Sequence, residues 1–577
     1  MCASSGVAEP SREVPLLGSA EEAQRPSRQT PKLRLMAVVS IIFFNVSGGP
    51  LGSEQIISSC GPVLGLSLLL GFALCFSVPQ AMITAELSTA FPCNGGYSMW
   101  VQAAFGTFWG VQESYWSWFS GVVDSALYPV LLYSAAQQLF AGLGIDAGVL
   151  TDGSQDATCE SSGGGLNGTN TTDDDDDSEP TVNLWGCMFD LSSGCAVEYG
   201  IKLVILSLFV APNLLSSKVV GDFLTALCLF ALTPFVVLCL VGIPKMRMKT
   251  LLRRPPQFDW QTCLSTLYWN MSGFDSASTF AGEVERPHKT FPRALFVAVA
   301  LVFLSYLCPL LISAAADPGW DCWHDGSLVS VALVVGGSWL GIWILATSTL
   351  SNWGLFASEL LEDSYQLLGM AEMGLAPQVF AGLSPRTGTP VNAILFQYVI
   401  IALLVSLDFN SILCIDNFFS ASAAALEFAA IVRLRISRPD LPRPYRIPLG
   451  TAGLLAFLLI PTAWSLLICY VTVTDSVQSA ATIGVAVVVG LLLYVPFLFV
   501  DHSALDFEQL SHQASLVDSA THVGHTHSAE FGTLVAGAVK QRSSAWSSMV
   551  GSRAPTDTMT DYVLEPAAEP PQARPNR

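Results

Sequence analysis

Residues 45–54 read NVSGGPLGSE and interrupt a hydrophobic segment that runs from about residue 35 to 57. Pro50 removes a backbone donor and the glycines lower the cost of leaving helical geometry, so a helix is expected to break here. A later hydrophobic segment contains a comparable stretch, NMSGFDS at residues 270–276, which adds a carboxylate. Backbone can unwind in a membrane only where protein buries it or where it lines a wet cavity. The two stretches therefore predict a binding site.

The composition around these stretches is that of a membrane protein. Of 577 residues, 51% are apolar and 12% are charged, whereas soluble domains carry roughly a quarter charged residues. Hydrophobic segments occur at about 35–57, 63–90, 105–135, 197–213, 218–243, 260–284, 291–316, 327–358, 390–407, 411–433, 449–473 and 479–500. Each is long enough, or nearly so, to cross a hydrocarbon core of about 30 Å. We therefore expect an all-α membrane protein with twelve transmembrane helices in a lipid bilayer.

The positions of the two breaks favour transport. Either break alone could be a Gly/Ser packing notch between helices. Breaks in the first and sixth segments, however, occupy matching positions of two five-segment repeats, as in secondary transporters. The sequence contains no GxxxxGK[ST] phosphate-binding loop, which leaves an ion gradient as the expected driving force. It shows no nucleophile–base pair or metal constellation either, so we expect neither an enzyme nor a cofactor.

The charged residues predict how the chain is oriented in the membrane and which class of partner it binds. Most Lys and Arg residues in short loops fall on one side of the membrane if both termini are cytoplasmic. One predicted outer loop is an exception for which topology gives no reason; it contains Lys245, Arg247, Lys249, Arg253 and Arg254. The net charge of −20 argues against a nucleic-acid partner and for a cationic one. No protein partner is predicted.

Three regions follow from this orientation. Residues 1–34 form a cytoplasmic tail, residues 35–500 form the transporter domain, and residues 501–577 form a disordered cytoplasmic tail. The tail histidines His522, His525 and His527 have no Cys or carboxylate nearby to complete a metal site, so a solvated tail is the better interpretation.

The extracellular loop is expected at about residues 142–196. It contains glycosylation sequons at Asn167 and Asn170 beside the acidic run 173–177. The cysteines in predicted extracellular loops are Cys159, Cys187, Cys195 and Cys322. A disulfide among them is compatible with the sequence, which leaves the pairing open.

Carboxylates inside the hydrophobic segments are candidates for function because burying them is costly. On the third segment, Glu113, Ser117, Ser120 and Asp124 fall within about 60° on a helix, and about 16 Å separates the two acids. Helix packing is an alternative role for each acid. Proton coupling requires a carboxylate that can be protonated, and the candidates are Glu113 and Asp222.

The depths of the acids suggest how an amine would bind. Asp124 and Asp275 are expected near the membrane midplane, on helices that face each other, where they can hold one ammonium group. Tyr128 and Trp116 flank the polar stripe of the third segment and offer aromatic faces to a cation. Glu113, about 16 Å along the same stripe, can then receive a second amine of a longer cation.

Several long strings of the sequence resemble a known superfamily. They are NVSGGPLGSE (45–54), TAELSTAFPCNGGYSMW (84–100), QESYWSWFSGVVDSALYPV (112–130), FAGEVERPHKTFPRAL (280–295) and LRISRPDLPRPYRIPLG (434–450). The chain resembles the amino acid-polyamine-organocation superfamily, and within it the eukaryotic polyamine:proton symporters of plants, algae and protists. The resemblance covers roughly residues 35–500.

This resemblance implies a leucine-transporter-like fold, with a 5+5 inverted repeat, two additional helices and a substrate site between segments 1, 3, 6, 8 and 10. The implied site residues are Glu113, Trp116, Asp124, Tyr128, Trp269, Asn270 and Asp275. Amino acid carriers of the superfamily hold a substrate carboxylate at a glycine-serine-glycine break. The corresponding stretch here is Ser47, Gly48 and Gly49, followed by Pro50, which lacks an amide donor.

Three functions remain compatible with the sequence. The leading one is a plasma-membrane, proton-driven carrier of polyamines such as putrescine and spermidine. The second is an amino acid carrier, which would need a cradle for the substrate carboxylate. The third is a nutrient receptor that keeps the fold without translocating its ligand.

Overall fold

The computed structural model describes residues 32–142, 193–406, 409–474 and 476–496. Apart from two isolated bridges, Leu33 with Val284 and Asn94 with Phe280, these residues form helices and turns. The α-helices are α1 Leu35–Val46, α2 Gln55–Cys60, α3 Pro62–Phe72, α4 Val78–Ala90, α5 Gly96–Phe105, α6 Thr107–Gly142, α7 Ser193–Val210, α8 Ser217–Gly242, α9 Met248–Leu251, α10 Trp260–Met271, α11 Pro287–Ala316, α12 Ser327–Gly336, α13 Ser338–Glu372, α14 Val391–Leu404, α15 Phe409–Ser437, α16 Thr451–Thr474 and α17 Val477–Leu493.

Six helical segments in the described part of the chain are long and apolar enough to cross a membrane. They are Pro62–Ala90, Val197–Leu214, Ser217–Lys245, Pro287–Ala316, Ile412–Ser437 and Thr451–Thr474. The shorter apolar helices are Leu35–Val46, Ser327–Gly336, Val391–Leu404 and Val477–Leu493. The chain is therefore an all-helical, multi-pass membrane protein.

Both predicted helix breaks are confirmed. Helix α1 ends at Val46 and α2 begins at Gln55, and between them Gly49 and Gly52 have φ angles of 108° and 87°, which favour glycine. Helix α10 ends at Met271, where Gly273 has a φ of 94° and two 3₁₀ turns follow. Unwound backbone thus occurs at both expected places.

The prediction of one helix over residues 327–358 is wrong. Gly337, with a φ of 87°, separates α12 from α13, and α13 continues fourteen residues past the predicted end, to Glu372. The sequence criterion stopped at the charges of the string SELLEDS, residues 358–364, because they reduce hydropathy. The helix tolerates them because it is packed among other helices, and Glu359, Glu362 and Asp363 are all buried.

A buried ion cluster fixes the end of α15. The Glu86 carboxylate of α4 lies 2.5 Å from Arg435 Nη2 and 3.4 Å from Arg443 Nε, and Glu86 also accepts from the Ile447 amide at 2.8 Å. The side chains of Glu86 and Arg435 are 0% and 1% exposed. This geometry assigns Glu86 to the scaffold.

Glu54 has a comparable role at the first break. Its carboxylate accepts from the amides of Gly52 at 2.7 Å, Gly326 at 3.1 Å and Leu328 at 3.3 Å. Since Gly326 immediately precedes α12, this carboxylate ties the break to the start of that helix.

The basic loop that topology left unexplained contacts a neighbouring loop. Arg253 pairs with Asp321 at 3.4 Å and lies 5.6 Å from the centroid of the Trp320 ring. Lys245 Nζ donates to the carbonyl of Val335 at 2.5 Å. Arg253 and Lys245 therefore stabilise the packing of the loops around α12.

Several predicted features lie outside the described residues. They are the glycosylation sequons, the acidic run, residues 1–31 of the N-terminal tail and the whole C-terminal tail, together with the side chains of Cys159, Cys187 and Cys195. Cys322, the remaining cysteine of the predicted extracellular set, is disulfide-bonded.

Candidate functional site

A cavity of about 100 Å³ lies where the two helix breaks meet α6, α13 and α15. It is large enough for several water molecules at roughly 10–15 Å³ each. Its walls include Ser47 and Gly48 from the first break, and Trp269, Asn270 and Asp275 from around the second. The unwound backbone thus borders a cavity, as expected for broken membrane helices.

Five carboxylates line this cavity: Asp124, Asp275, Glu359, Glu362 and Asp416. None of the described residues that line it is Lys, Arg or His. Like charges in a space of this size repel strongly, because the surrounding protein has a lower dielectric constant than bulk water. The cavity therefore favours cations or protons and disfavours anions.

Asp124 of α6 is held by two aromatic side chains. The Tyr128 hydroxyl donates to Oδ2 at 2.5 Å, and Trp269 Nε1 donates to Oδ1 at 2.9 Å. Tyr128 lies one helical turn along α6, and Trp269 lies in the last turn of α10. Each carboxylate oxygen keeps a free lone pair, so Asp124 can accept a further bond from a ligand.

Polar neighbours fix two other carboxylates. Glu362 of α13 accepts from Asn45 Nδ2 at 3.0 Å and from the Tyr97 hydroxyl at 2.9 Å. Asp416 of α15 accepts from Ser120 Oγ at 2.5 Å. All of these donors are neutral, so the negative charge stays uncompensated.

The first break is shaped by close packing. A Cβ on Gly48 would lie 2.5 Å from Leu355 Cδ1 of α13, so any larger residue would require the Leu355 side chain to move. Gly49 N donates to Ser47 Oγ at 3.1 Å, and Asn270 Nδ2 donates to the Gly52 carbonyl at 3.1 Å. Asn270 thereby connects the two breaks.

Comparison with known proteins identifies the family. A family model described as "Amino acid permease" matches residues 34–497. The chain belongs to the amino acid permease family.

Its relatives within this permease family share most of its length. A probable polyamine transporter of Arabidopsis thaliana is 39% identical over 482 residues, covering 83% of this chain and 89% of the relative. The polyamine transporter PUT1 of Oryza sativa subsp. japonica is 38% identical and covers 81% and 78%. The large neutral amino acids transporter small subunit 2 of Mus musculus is 26% identical over 49% of this chain and 56% of the relative.

Not every predicted site residue of this permease-family chain reaches the cavity. Trp116 and Gly49 are not among its lining residues. Glu113 is 0% exposed and lies behind the wall, where neither carboxylate oxygen has a hydrogen-bond partner. Asp222 is exposed on α8. The binding and proton-coupling roles of these four residues stay predictions.

Neither hydropathy nor motifs indicated the acids that α13 and α15 contribute to the site. Glu359, Glu362 and Asp363 lie beyond the predicted end of the eighth segment, and Asp416 and Glu427 lie inside the tenth. A signal was available, because residues 359, 362, 363 and 366 have the i, i+3, i+4, i+7 spacing of one helical face. The hydropathy criterion ended the helix before that face began.

Proposed function

We propose that this chain is a secondary active transporter that imports polyamines by proton symport with alternating access. The observation that carries the proposal is the set of five carboxylates in one cavity with no Lys, Arg or His among its described lining residues. A polyamine brings two or more positive charges and can replace the missing counter-charge. The names of the plant relatives support this substrate class.

The spread of the acids through the cavity suits a molecule with more than one positive charge. Asp124 interacts electrostatically with Asp416, Glu359 and Glu362, and Glu362 also interacts with Asp275, so the acids form one connected set. One ammonium group binds near Asp124 and another near Asp275. Trp269 and Tyr128 border the same cavity and cover the methylene chain.

The same chemistry argues against an amino acid substrate. A substrate carboxylate would face five carboxyl groups and no cation among the described lining residues, and the first break contains Pro50, which offers no amide. The amide of Gly49 is also already bonded to Ser47. No observation favours the receptor alternative.

The finer architecture is part of this proposal. We infer twelve transmembrane helices in a 5+5 inverted repeat plus two additional helices, since both breaks and all the shorter apolar helices are present. The proposal also includes domain limits at residues 35 and 500, cytoplasmic termini and residence in the plasma membrane. The family match over residues 34–497 supports the domain limits.

Uptake of labelled compounds into cells without their own polyamine carriers tests the function. Putrescine and spermidine should accumulate, a protonophore should abolish the accumulation, and external sodium at constant pH should not change it. Arginine and leucine serve as the competing substrates. Uptake of either amino acid without uptake of polyamines would refute the proposal.

A further inference from the structure

A second group of acids lies behind the cavity wall. Glu427 of α15 is 0% exposed and is positioned against Asp275, the acid that follows the break after α10. Glu113 of α6 is also 0% exposed and interacts electrostatically with both. Of these three acids only Asp275 lines the cavity. Any proton that Glu427 or Glu113 exchanges with the cavity therefore passes through Asp275.

Glu427 and Glu113 lack hydrogen-bond donors among the described protein groups, whereas Asp275 has donors in Gln80 and in the backbone amides of residues 275 and 276. An ionised Glu427 beside an ionised Asp275 would bear a buried charge with no donor and no counter-charge, which costs several kcal/mol. A proton on one of them supplies both the missing donor and the missing charge. The geometry of the pair therefore requires a shared proton.

The other charged groups near Glu427 do not supply that compensation. The titratable groups that face it are Asp275, Glu113 and Glu362, and the hydroxyls of Tyr97 and Tyr268 lie near Asp275. All of them are acidic. Arg435 lies on the same helix, about 12 Å along its axis, and is already paired with Glu86.

We propose that Asp275 and Glu427 form the proton-binding site that couples transport to the proton gradient. This inference rests on the proposed polyamine transport. It differs from the sequence prediction, which placed the proton on Glu113 or Asp222.

The coupling step is a proton transfer within the pair. When an ammonium group reaches protonated Asp275, the O–H bond on Asp275 breaks and a new one forms on the Glu427 carboxylate. Asp275 is then ionised and pairs with the ammonium group. This proton enters Asp275 from water on the outer side before the substrate binds. When the substrate leaves on the inner side, the proton returns to Asp275 and passes to water, which then hydrates the two ionised carboxylates until the next proton binds.

Purified protein in liposomes separates this inference from the function itself. Counterflow of labelled putrescine reports translocation without any gradient, and accumulation under a pH difference of one unit reports coupling. One proton per substrate at zero membrane potential corresponds to about tenfold accumulation. Wild type should show both activities. If it shows no counterflow, the proposed function fails, whatever the coupling site.

Replacement of Glu427 tests the pair. Glu427→Gln should retain counterflow but lose accumulation under the pH difference. Glu427→Asp keeps a carboxyl group and should show part of the wild-type accumulation. Asp440→Asn removes an exposed carboxylate on a loop and should behave like wild type. Tenfold accumulation by Glu427→Gln would overturn the inference. Loss of counterflow in well-folded Glu427→Gln, or accumulation that follows a sodium gradient in wild type, would overturn it as well.

Discussion

Replacing Asp124 by Asn removes one negative charge from the cavity while preserving its shape. The Asn oxygen can accept from Trp269 Nε1, and the Asn amide can donate to the Tyr128 hydroxyl, so both contacts of Asp124 survive. The substitution therefore tests the negative charge of Asp124 separately from its hydrogen-bonded contacts. Protein packing should be unaffected, and repulsion from Asp416 and Glu359 should fall.

The size of the effect follows from the bond that the substrate loses. A hydrogen bond to a charged group contributes about 1.5–3 kcal/mol, so apparent polyamine affinity should fall about 10- to 150-fold. Putrescine and spermidine should be affected alike, because Asp124 anchors the ammonium group that both possess. Initial rates of labelled uptake across a range of concentrations give the apparent constant for each substrate.

Two controls make this result interpretable. Surface expression is measured for every variant, and Asp440→Asn tests the removal of a carboxylate that is exposed outside the cavity. An unchanged apparent constant for Asp124→Asn at normal surface expression would show that no ammonium group binds Asp124. The site described here would then be wrong.

Three further predictions concern packing and ion pairs, and each is checked by thermal unfolding in detergent. Gly121→Ala would place a Cβ 2.2 Å from Asp363 Oδ1 and should destabilise the protein by about 1–3 kcal/mol, whereas an unchanged melting temperature would contradict that contact. Arg435→Gln leaves Glu86 less compensated in a buried site and should cost about 3–5 kcal/mol, and Arg435→Lys should cost less. Arg253→Gln breaks a half-exposed pair and should change stability by only about 0–1 kcal/mol, so a larger loss would show that this loop contact is more important than its exposure indicates.

The breaks were predictable because their causes are local. Pro50 removes a backbone donor wherever the chain places it, and glycines such as Gly49, Gly52 and Gly273 reach positive φ angles without a steric penalty. Such effects act within a few residues. The sequence therefore located both unwound regions, and through them the neighbourhood of the cavity.

The end of α13 was not predictable by the same means. A hydropathy criterion treats Glu362 and Asp363 as unfavourable in a membrane, which is correct for a helix surrounded by lipid. In the protein these side chains face other helices, and Glu362 is bonded to Asn45 and Tyr97 from distant parts of the chain. The environment of a charge depends on tertiary packing, which hydropathy does not describe.

The sequence by itself determined that the chain is helical, crosses a membrane and unwinds at two points, because hydrophobicity, proline and glycine act locally. Only the tertiary structure decided which acids share the cavity. Asp124 and Glu113 lie on one helical stripe, yet Asp124 lines the cavity whereas Glu113 lies behind its wall with Glu427. The contributions of Asp416 and Glu427 depend on how α15 packs against α6. A helical period places residues on one face, but the neighbouring helices determine what that face contacts.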